Sequence, residues 1–375
     1  MRNSLRFGAA AVIAFALMQL FCARPAQAIP IFAQRYHLQC GACHSVLPEL
    51  NAFGRSFREH GYRLDLPKHG TTIVALRYQL EYEKDPVNQR RWQGGGVILG
   101  NEDFGKITAF IHYNLGAAGG PSGTYLAFLA TYNQHTQSEY RFGLFELPLP
   151  QSPGQRLDDL QQYGYYGTHV GLNDLPLSSP RWGIQTQRTV GVTQVNFIVD
   201  VGEFKGAAYG GVPIPTGETT SNVTPELGAF VFTPVTRNVS LGVEALAGKR
   251  NILLTGGRNF DDFYDRGAFY GHAAFGRFDL QGEQWYGRDA NADGFGTAVG
   301  SSGGYFRAKF YPVPHAYLGI RYDAAANPAI LRDVVYYGAF QLDIFRFLLQ
   351  QVQTIGGAGH FGGAITVGFP PPLKL

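Results

Sequence analysis

Residues 239–247 have the sequence VSLGVEALA, in which bulky apolar residues alternate with residues that are mostly small or polar. Successive side chains of a β-strand point to opposite faces, so this alternation predicts a strand with one apolar face. That face carries Val239, Leu241, Val243 and Ala245, and the other carries Ser240, Gly242, Glu244 and Leu246. Such a strand is typical of a wall between lipid and a polar lumen.

The same pattern recurs from residue 71 to residue 369 in segments of about ten residues, a length that suits a tilted membrane-crossing strand. Residues 106–115 (KITAFIHYNL) are a second clear case. The clearest predicted strands are 72–83, 106–115, 124–133, 225–234, 238–248, 267–276, 278–287, 302–312 and 315–323. We count fourteen to sixteen strands and predict an all-β, antiparallel outer-membrane barrel over residues 71–375.

The expected connections are short on one side of the barrel and long on the other. The predicted short turns are 234–238, 276–277 and 312–314, and the predicted long loops are 204–224, 249–266 and 288–303. Two stretches leave the count open. Residues 181–203 fit either a hairpin around Gly191 or one long strand, and residues 333–360 are equally ambiguous.

Composition supports a barrel in lipid. Only 16% of residues are charged, and the chain has 49 glycines, 21 tyrosines and 28 phenylalanines, which suits close strand packing and aromatic girdles. A soluble β-sandwich or jelly roll is the alternative, because those folds also alternate. The net charge of +3 gives no reason to expect a nucleic-acid partner. The expected partner of the outer face is outer-membrane lipid.

Residues 1–28 have the pattern of a cleaved secretory signal. Arg2 and Arg6 precede an apolar run over residues 7–22, and the small-residue ending Ala26-Gln27-Ala28 follows it. A membrane anchor is the alternative, but Gln19 interrupts the run and the run is short for a spanning helix. We expect export to the outer membrane of a Gram-negative bacterium.

Residues 40–44 (CGACH) form the C-x-x-C-H pattern by which a c-type haem is attached. Cys40 and Cys43 have the spacing that reaches both vinyl groups of one porphyrin, and His44 is then placed to bind the iron as the proximal ligand. A free dithiol is the main alternative. A thiolate zinc site would need more cysteines, but the third one, Cys22, lies in the expected signal.

The second axial ligand is limited by what the chain lacks. Both methionines, Met1 and Met18, fall in the expected signal, so a mature chain has no thioether ligand. The iron is then either bis-histidine or five-coordinate. His60 is the first candidate for the distal position, followed by His37, His112 and His169.

Residues 29–70 are predicted to form a small α-helical cytochrome module. Leu47, Leu50, Phe53, Phe57 and Tyr62 have spacings that give a helix an apolar face, with Pro48 near its start. A segment of about forty residues rarely builds a self-sufficient core. We therefore expect the barrel wall to supply part of the haem pocket.

The N-terminal block resembles the outer-membrane fused monohaem cytochrome-porins. The resemblance lies in residues 29–35 (IPIFAQR), 40–44 (CGACH), 48–57 (PELNAFGRSF) and 61–62 (GY). It covers about the first tenth of the mature chain and implies a barrel that passes electrons from an extracellular donor, such as Fe(II), through the haem to a soluble periplasmic cytochrome. One alternative is a diffusion porin whose haem module is a plug or a sensor. Another is a haem enzyme such as a peroxidase.

Residues 289–294 (DANADG) have the first six positions of a calcium-binding loop. The twelfth position is Gly300 and not the bidentate Glu, so an exposed acidic loop is the stronger alternative to a Ca²⁺ site. Asp261, Asp262 and Asp265 lie in a predicted loop, where they are either solvated charges or a weak attraction for Fe(II).

Overall fold

The computed structural model of the chain describes residues 32, 36, 38, 40–46, 49–50, 52–59, 62, 64, 74–85, 89–117, 123–133, 135–152, 158–173, 176–201, 218–222, 225–254, 257–313, 315–327, 329–342 and 345–369. The predicted signal peptide, residues 1–28, lies outside the described residues, as do His37 and His60.

The described barrel is built from antiparallel strands that follow one another around a single sheet. Its strands are numbered from β3, because β1 (His44–Val46) and β2 (Glu49–Leu50) form a separate pair before it in the chain. The strands are β3 (Val74–Asp85), β4 (Gln89–Phe104), β5 (Ile107–Ala117), β6 (Gly123–Asn133), β7 (Ser138–Phe145), β8 (Arg181–Val190), β9 (Thr193–Asp200), β10 (Glu218–Asn222), β11 (Glu226–Pro234), β12 (Val239–Leu254), β13 (Asn259–Phe275), β14 (Phe278–Asp289), β15 (Val299–Val313), β16 (Ala316–Asn327), β17 (Ala329–Leu342), β18 (Phe345–Thr354) and β19 (His360–Phe369).

The sheet closes on itself by pairing of its first and last strands, and it is continuous from β9 to β11. β19 pairs with β3, and β9 pairs with β11. β10 and β11 follow each other along the same side of β12, so they occupy one strand position. The described barrel therefore has sixteen strand positions, at the upper end of the predicted range. Closure removes the unpaired sheet edges that an open sheet would leave in lipid.

The predicted alternation is confirmed on the strands from which it was inferred. On β12, Leu241 and Val243 are each 49% exposed on the outer face, whereas Glu244 is 4% and Leu246 is 2% exposed on the inner face. On β5, Ile111 is 41% exposed and Phe110 is buried. The outer wall is therefore an apolar belt, and the inner wall carries most of the buried charges.

The two ambiguous stretches are now assigned. Residues 181–203 contain the hairpin of β8 and β9, and Gly191 at its turn has a φ of +63°, which a glycine adopts without a steric penalty. Residues 333–360 contain the end of β17, all of β18 and the first residue of β19.

The connections differ between the two ends of the barrel. At one end, called here the short-turn end, the connections include residues 105–106, 191–192 and 276–277. The other end, called the long-loop end, carries residues 146–180 and 290–298.

One predicted long loop was wrong. Residues 249–266 mostly form strand, because β12 continues to Leu254 and β13 already begins at Asn259. Beyond the apolar belt the two strands are joined by polar pairs instead of apolar ones: Asp261 lies 2.8 Å from the Lys249 ammonium and accepts a 2.8 Å hydrogen bond from Asn251. Asp261, Asp262 and Asp265 are consequently strand residues of β13.

The N-terminal region is only partly the predicted helical module. Its described helices are α1 (Cys40–Cys43) and α2 (Ala52–Glu59), and β1 (His44–Val46) pairs with β2 (Glu49–Leu50). The predicted helical face is corrected accordingly, because Leu50 lies in β2 and Phe53 is 41% exposed.

Helix α2 ends two residues before Gly61, and the amide N–H of Tyr62 closes its C-terminus by donating to the carbonyl of Phe57 at 3.0 Å. Tyr62 has a φ of +61°, so it lies beyond the helix. None of the helices in the described part of the chain is long and apolar enough to cross a membrane.

Candidate functional site: the barrel lumen and its N-terminal segment

Residues 146–180, called here the lumen loop, connect β7 to β8, and their described part (146–152, 158–173 and 176–180) folds into the barrel. The deepest described part of the loop is held by ion pairs to the wall. Asp158 accepts hydrogen bonds from Arg307 and from Lys309 Nζ (2.7 Å), and Asp159 accepts one from Arg321 Nη1 (2.7 Å). The side chains of both arginines are fully buried. Buried charges are tolerated only when they are paired in this way.

Aromatic side chains fill the space between this loop and the wall. Tyr163 packs against Tyr305 with ring centroids 4.4 Å apart, and Tyr165 stacks on Trp285 at 6.0 Å. The Tyr166 hydroxyl donates to Glu283. Trp285 is 0% exposed although it faces the lumen, so this part of the lumen is packed like a protein core.

The loop returns to the long-loop end along β13 and β14. Asn173 Nδ2 donates to Asp262 at 3.2 Å and to Asp289 at 2.9 Å. Arg181, the first residue of β8, donates from Nε to Glu226 at 3.0 Å. The loop is therefore held to the barrel wall at Asp158 and Asp159 and again at Asn173, and Arg181 ties down the start of β8 that follows it.

The described N-terminal residues pack against the opposite part of the wall. Phe32, Phe57 and Tyr62 form an aromatic cluster with centroid distances of 4.9–5.8 Å. The Tyr62 ring stacks on Phe110 of β5 (5.4 Å), which stacks on Phe128 of β6 (5.1 Å). Phe110 is three residues from the start of β5, so the contact lies near the short-turn end of the lumen.

The residues predicted to attach a haem lie next to this aromatic cluster in the chain. Cys40 and Cys43 are the first and last residues of the single helical turn α1, and His44 begins β1 directly after it. Positions three apart on a helix share one face, which is the spacing that two thioether bonds to one porphyrin need. Cys43 is half-buried and forms no disulfide. These backbone positions fit a covalent c-type haem.

The alternative of a redox dithiol fits this environment less well. Burial raises the pKa of the Cys43 thiol above its ordinary value. Reactive dithiols depend on a lowered pKa, because the thiolate is the nucleophile.

The structure describes two of the four histidines that are candidates for the second iron ligand. His60 and His37 lie outside the described residues. His112 is buried on the lumen face of β5, where its ring lies 3.2 Å from Asn114 Oδ1 and edge-on to Tyr125. His169 lies in the lumen loop and not in the N-terminal region.

The calcium-like stretch forms a turn with internal hydrogen bonds. Asp293 accepts from the Phe295 amide (2.8 Å), and Asn291 donates to the Asp261 carbonyl (3.0 Å). Arg258 Nη2 donates to the Gly294 carbonyl at 2.9 Å, so an internal cation already occupies part of the loop. Among the residues that the structure describes, no three His, Cys, Asp or Glu side chains are grouped to hold a metal ion.

The lumen loop is the functional element that the sequence did not reveal. The alternation that marks the wall is absent between β7 and β8, and Asp158-Asp159 and Tyr163-Gly164-Tyr165-Tyr166 stand in that gap. Paired acids and clustered tyrosines inside a long gap are a signal that the segment has buried partners. They do not indicate which strands those partners lie on.

Comparison with known proteins identifies the fold. The chain is similar to the outer-membrane channel DcaP of Acinetobacter baumannii (10% identity, TM-score 0.54, covering 80% of this chain and 96% of that one). It is also similar to a loop-deletion mutant of OmpT of Vibrio cholerae (11%, 0.55, 79% and 98%) and to an anion-selective porin from Comamonas acidovorans (12%, 0.54, 80% and 99%). No family model and no curated protein sequence matches. The chain has the sixteen-stranded fold of outer-membrane porins.

Proposed function

We propose that this chain is an outer-membrane electron-transfer protein whose N-terminal segment carries one covalent c-type haem inside a porin-like barrel. The electrons come from an extracellular donor, with Fe(II) as the first candidate, and leave to a soluble periplasmic cytochrome. The supporting observation is the contact of the N-terminal aromatic cluster with the lumen wall through Tyr62 and Phe110.

Each chain element has a defined part in this proposal. Cys40 and Cys43 would hold the porphyrin, His44 would bind its iron, and His60 is the first candidate for a second iron ligand. The haem supplies a one-electron couple when it is bound. The aromatic cluster of Phe32, Phe57 and Tyr62 is the apolar body that ties this segment to the wall, because the segment alone is too short to form a core.

The orientation follows from the barrel ends. Porin-type barrels have short periplasmic turns and longer extracellular loops, so the short-turn end is assigned to the periplasm. The Tyr62–Phe110 contact then lies near the periplasmic end, where a soluble electron acceptor can approach. This assignment agrees with export by the expected cleaved signal at residues 1–28.

A diffusion porin with a plug is the second candidate, and the fold comparisons favour it more directly than they favour electron transfer. The similar structures include an outer-membrane channel and an anion-selective porin. Against unhindered diffusion, the lumen-facing residues Trp285, Arg307 and Arg321 are fully buried by the lumen loop. A passive pore also gives no role to the C-x-x-C-H sequence.

The test compares the full-length chain with its His44→Ala and Cys40→Ala/Cys43→Ala variants in proteoliposomes. Barrel assembly is checked by heat-modifiable migration on gels, and covalent haem by haem staining. If the proposal holds, the wild type is stained and an external, membrane-impermeant donor such as Fe(II) reduces its haem. The His44→Ala variant assembles but loses this reduction, and the double cysteine variant loses the stain.

The diffusion function predicts a different set of results. Solute flux would be the same in the wild type and the His44→Ala variant, and no impermeant donor would reduce the haem. Normal staining of the double cysteine variant would refute covalent attachment. Reduction by an organic shuttle but not by Fe(II) would remove only the ferrous donor.

A further inference from the structure

Asn173 of the lumen loop lies between two buried carboxylates. Its side-chain nitrogen Nδ2 donates to Asp262 Oδ2 of β13 at 3.2 Å and to Asp289 Oδ1 of β14 at 2.9 Å. All three residues are 0% exposed. The strand register agrees with this contact, because Asp289 is aligned with Tyr264 and Asp262 lies two residues before Tyr264 on the same face. Since one nitrogen atom contacts both carboxylates, the two acids are near neighbours inside the barrel.

The donors around this pair are unequally shared. Asp262 accepts on both of its oxygens, from the Asn291 amide at 2.7 Å and from Asn173. Arg266 Nη2 lies 3.7 Å from Asp289 Oδ1, which is an ion pair but too long for a hydrogen bond. Among the residues that the structure describes, no donor reaches the buried Oδ2 atom of Asp289. An ionised oxygen left without a donor is costly, whereas a protonated one is itself a donor.

The buried charges around this pair do not balance. Arg181 and the Tyr264 hydroxyl both donate to Glu226, and Arg250 of β12 is aligned with Asp262. Among the described residues on this part of the lumen face, near the long-loop end of β8 to β14, four buried carboxylates lie beside three buried guanidinium groups. The carboxylates belong to Asp200, Glu226, Asp262 and Asp289, and the guanidinium groups belong to Arg181, Arg250 and Arg266. Because unpaired charges are costly in a buried site, one bound proton stabilises this arrangement.

We propose that Asp262 and Asp289 share one proton, and that this proton makes the lumen-loop contact at Asn173 sensitive to pH. Asp289, protonated on Oδ2, is the neutral member, and Asp262, which has a donor for each oxygen, is the ionised one. When the pH rises and the proton leaves, two like charges face the same Asn173 side chain and repel each other. The loop is then held less firmly where it leaves the lumen. This pH-sensitive contact is independent of the haem and goes beyond the proposed electron transfer.

Infrared spectroscopy of the full-length protein in detergent measures the proton directly. A protonated carboxyl gives a C=O stretching band that a carboxylate lacks and that shifts in D₂O. The difference spectrum of wild type minus Asp289→Asn should contain this band at low pH and lose it as the pH is raised. Asp261→Asn is the matched control, because Asp261 is next to Asp262 in β13 but is 39% exposed and paired with Lys249. Its difference spectrum should lack the band.

Thermal unfolding provides a second measurement. The folded pair binds a proton that exposed carboxyls release, so the unfolding temperature of the wild type should fall as the pH rises and the proton is lost. Asp289→Asn imitates the protonated side chain and cannot lose a proton, so this part of the pH dependence should disappear. Asp262→Asn should also remove it. His169→Gln should retain it, although His169 is a titratable residue four positions before Asn173 in the same loop.

Two results would overturn the proposal. One is a difference spectrum for Asp289→Asn without the carboxyl band at any pH, which would mean that both acids are ionised and balanced by the nearby arginines. The other is a parallel pH dependence of the unfolding temperature in the wild type and Asp289→Asn, which would mean that the pair does not titrate in the folded protein. Neither result depends on whether the haem is attached or reduced.

Discussion

The ring of Tyr62 lies flat on the ring of Phe110, with centroids 5.4 Å apart and planes inclined by 17°. Tyr62 belongs to the N-terminal segment that contains the C-x-x-C turn, and Phe110 belongs to the lumen face of β5. The contact is thus a direct link between the segment with the C-x-x-C-H sequence and the barrel. Phe110 in turn stacks on Phe128 of β6.

Replacing Phe110 with alanine should release the N-terminal segment from the wall. A buried Phe→Ala change costs about 3–5 kcal/mol, and here the loss falls on the docking contact. In limited proteolysis of the folded barrel, residues 29–70 should be cleaved faster than in the wild type. Phe142→Ala is the control, because Phe142 is 61% exposed on the outer face. Equal cleavage of all three proteins would show that Phe110 does not hold the segment.

Replacing Asp158 with asparagine should loosen the lumen loop. The change leaves Arg307 and Lys309 buried without that countercharge, and breaking a buried ion pair costs about 3–5 kcal/mol. Single-channel conductance in planar bilayers should rise as the loop leaves the wall. Asp293→Asn, in the connection after β14 at the long-loop end, should leave the conductance at the wild-type value. An unchanged conductance in Asp158→Asn would mean that other contacts hold the loop.

Glycine is required at position 303 by the close approach of Tyr165. A Cβ atom at this position would lie 2.7 Å from Tyr165 Cδ2 and 2.8 Å from the Cα of Ala325. We expect Gly303→Ala to destabilise the barrel by about 1–3 kcal/mol, the usual cost of overpacking. Gly300→Ala is the matched control, since nothing lies within 4 Å of a Cβ atom there. The measurement is the temperature at which the folded gel band disappears, and equal temperatures for the two variants would contradict the packing described.

Cys43 should be a slow nucleophile in haem-free protein. Burial raises the pKa of its thiol, so less thiolate is present at a given pH than at an exposed cysteine. In a haem-free Cys40→Ala protein, alkylation by iodoacetamide should be slow near pH 8 and should keep accelerating at a pH where an exposed thiol has levelled off. A cysteine introduced at exposed Ala298, with Cys40 and Cys43 both replaced by alanine, provides the reference. Matching pH profiles would disprove the burial effect.

The wall of the barrel was predictable because its signal is local. Successive side chains of a strand point to opposite faces, and a barrel in lipid needs one apolar face. Leu241 and Val243 therefore face outward and Glu244 faces inward, and this alternation is visible in the sequence. The C-x-x-C-H sequence is local in the same sense. Cys40, Cys43 and His44 are adjacent in the chain, and one helical turn brings the two cysteines into register.

The ends of the strands and the contents of the lumen were not predictable in this way. β12 and β13 extend past the apolar belt, where pairs such as Lys249 and Asp261 replace the alternation from which strands were inferred. The partners of Asp158 lie about 150 positions away along the chain, and no local pattern specifies such a pairing.

By itself the sequence determined a porin-like wall of alternating strands and a C-x-x-C-H sequence on its N-terminal side, since both depend on neighbouring residues. Only the tertiary structure decided that Tyr62 rests on Phe110 and that the lumen loop is held by Arg307 and Arg321. Those relationships are set by strand register and barrel closure, which bring together residues that are far apart in the chain.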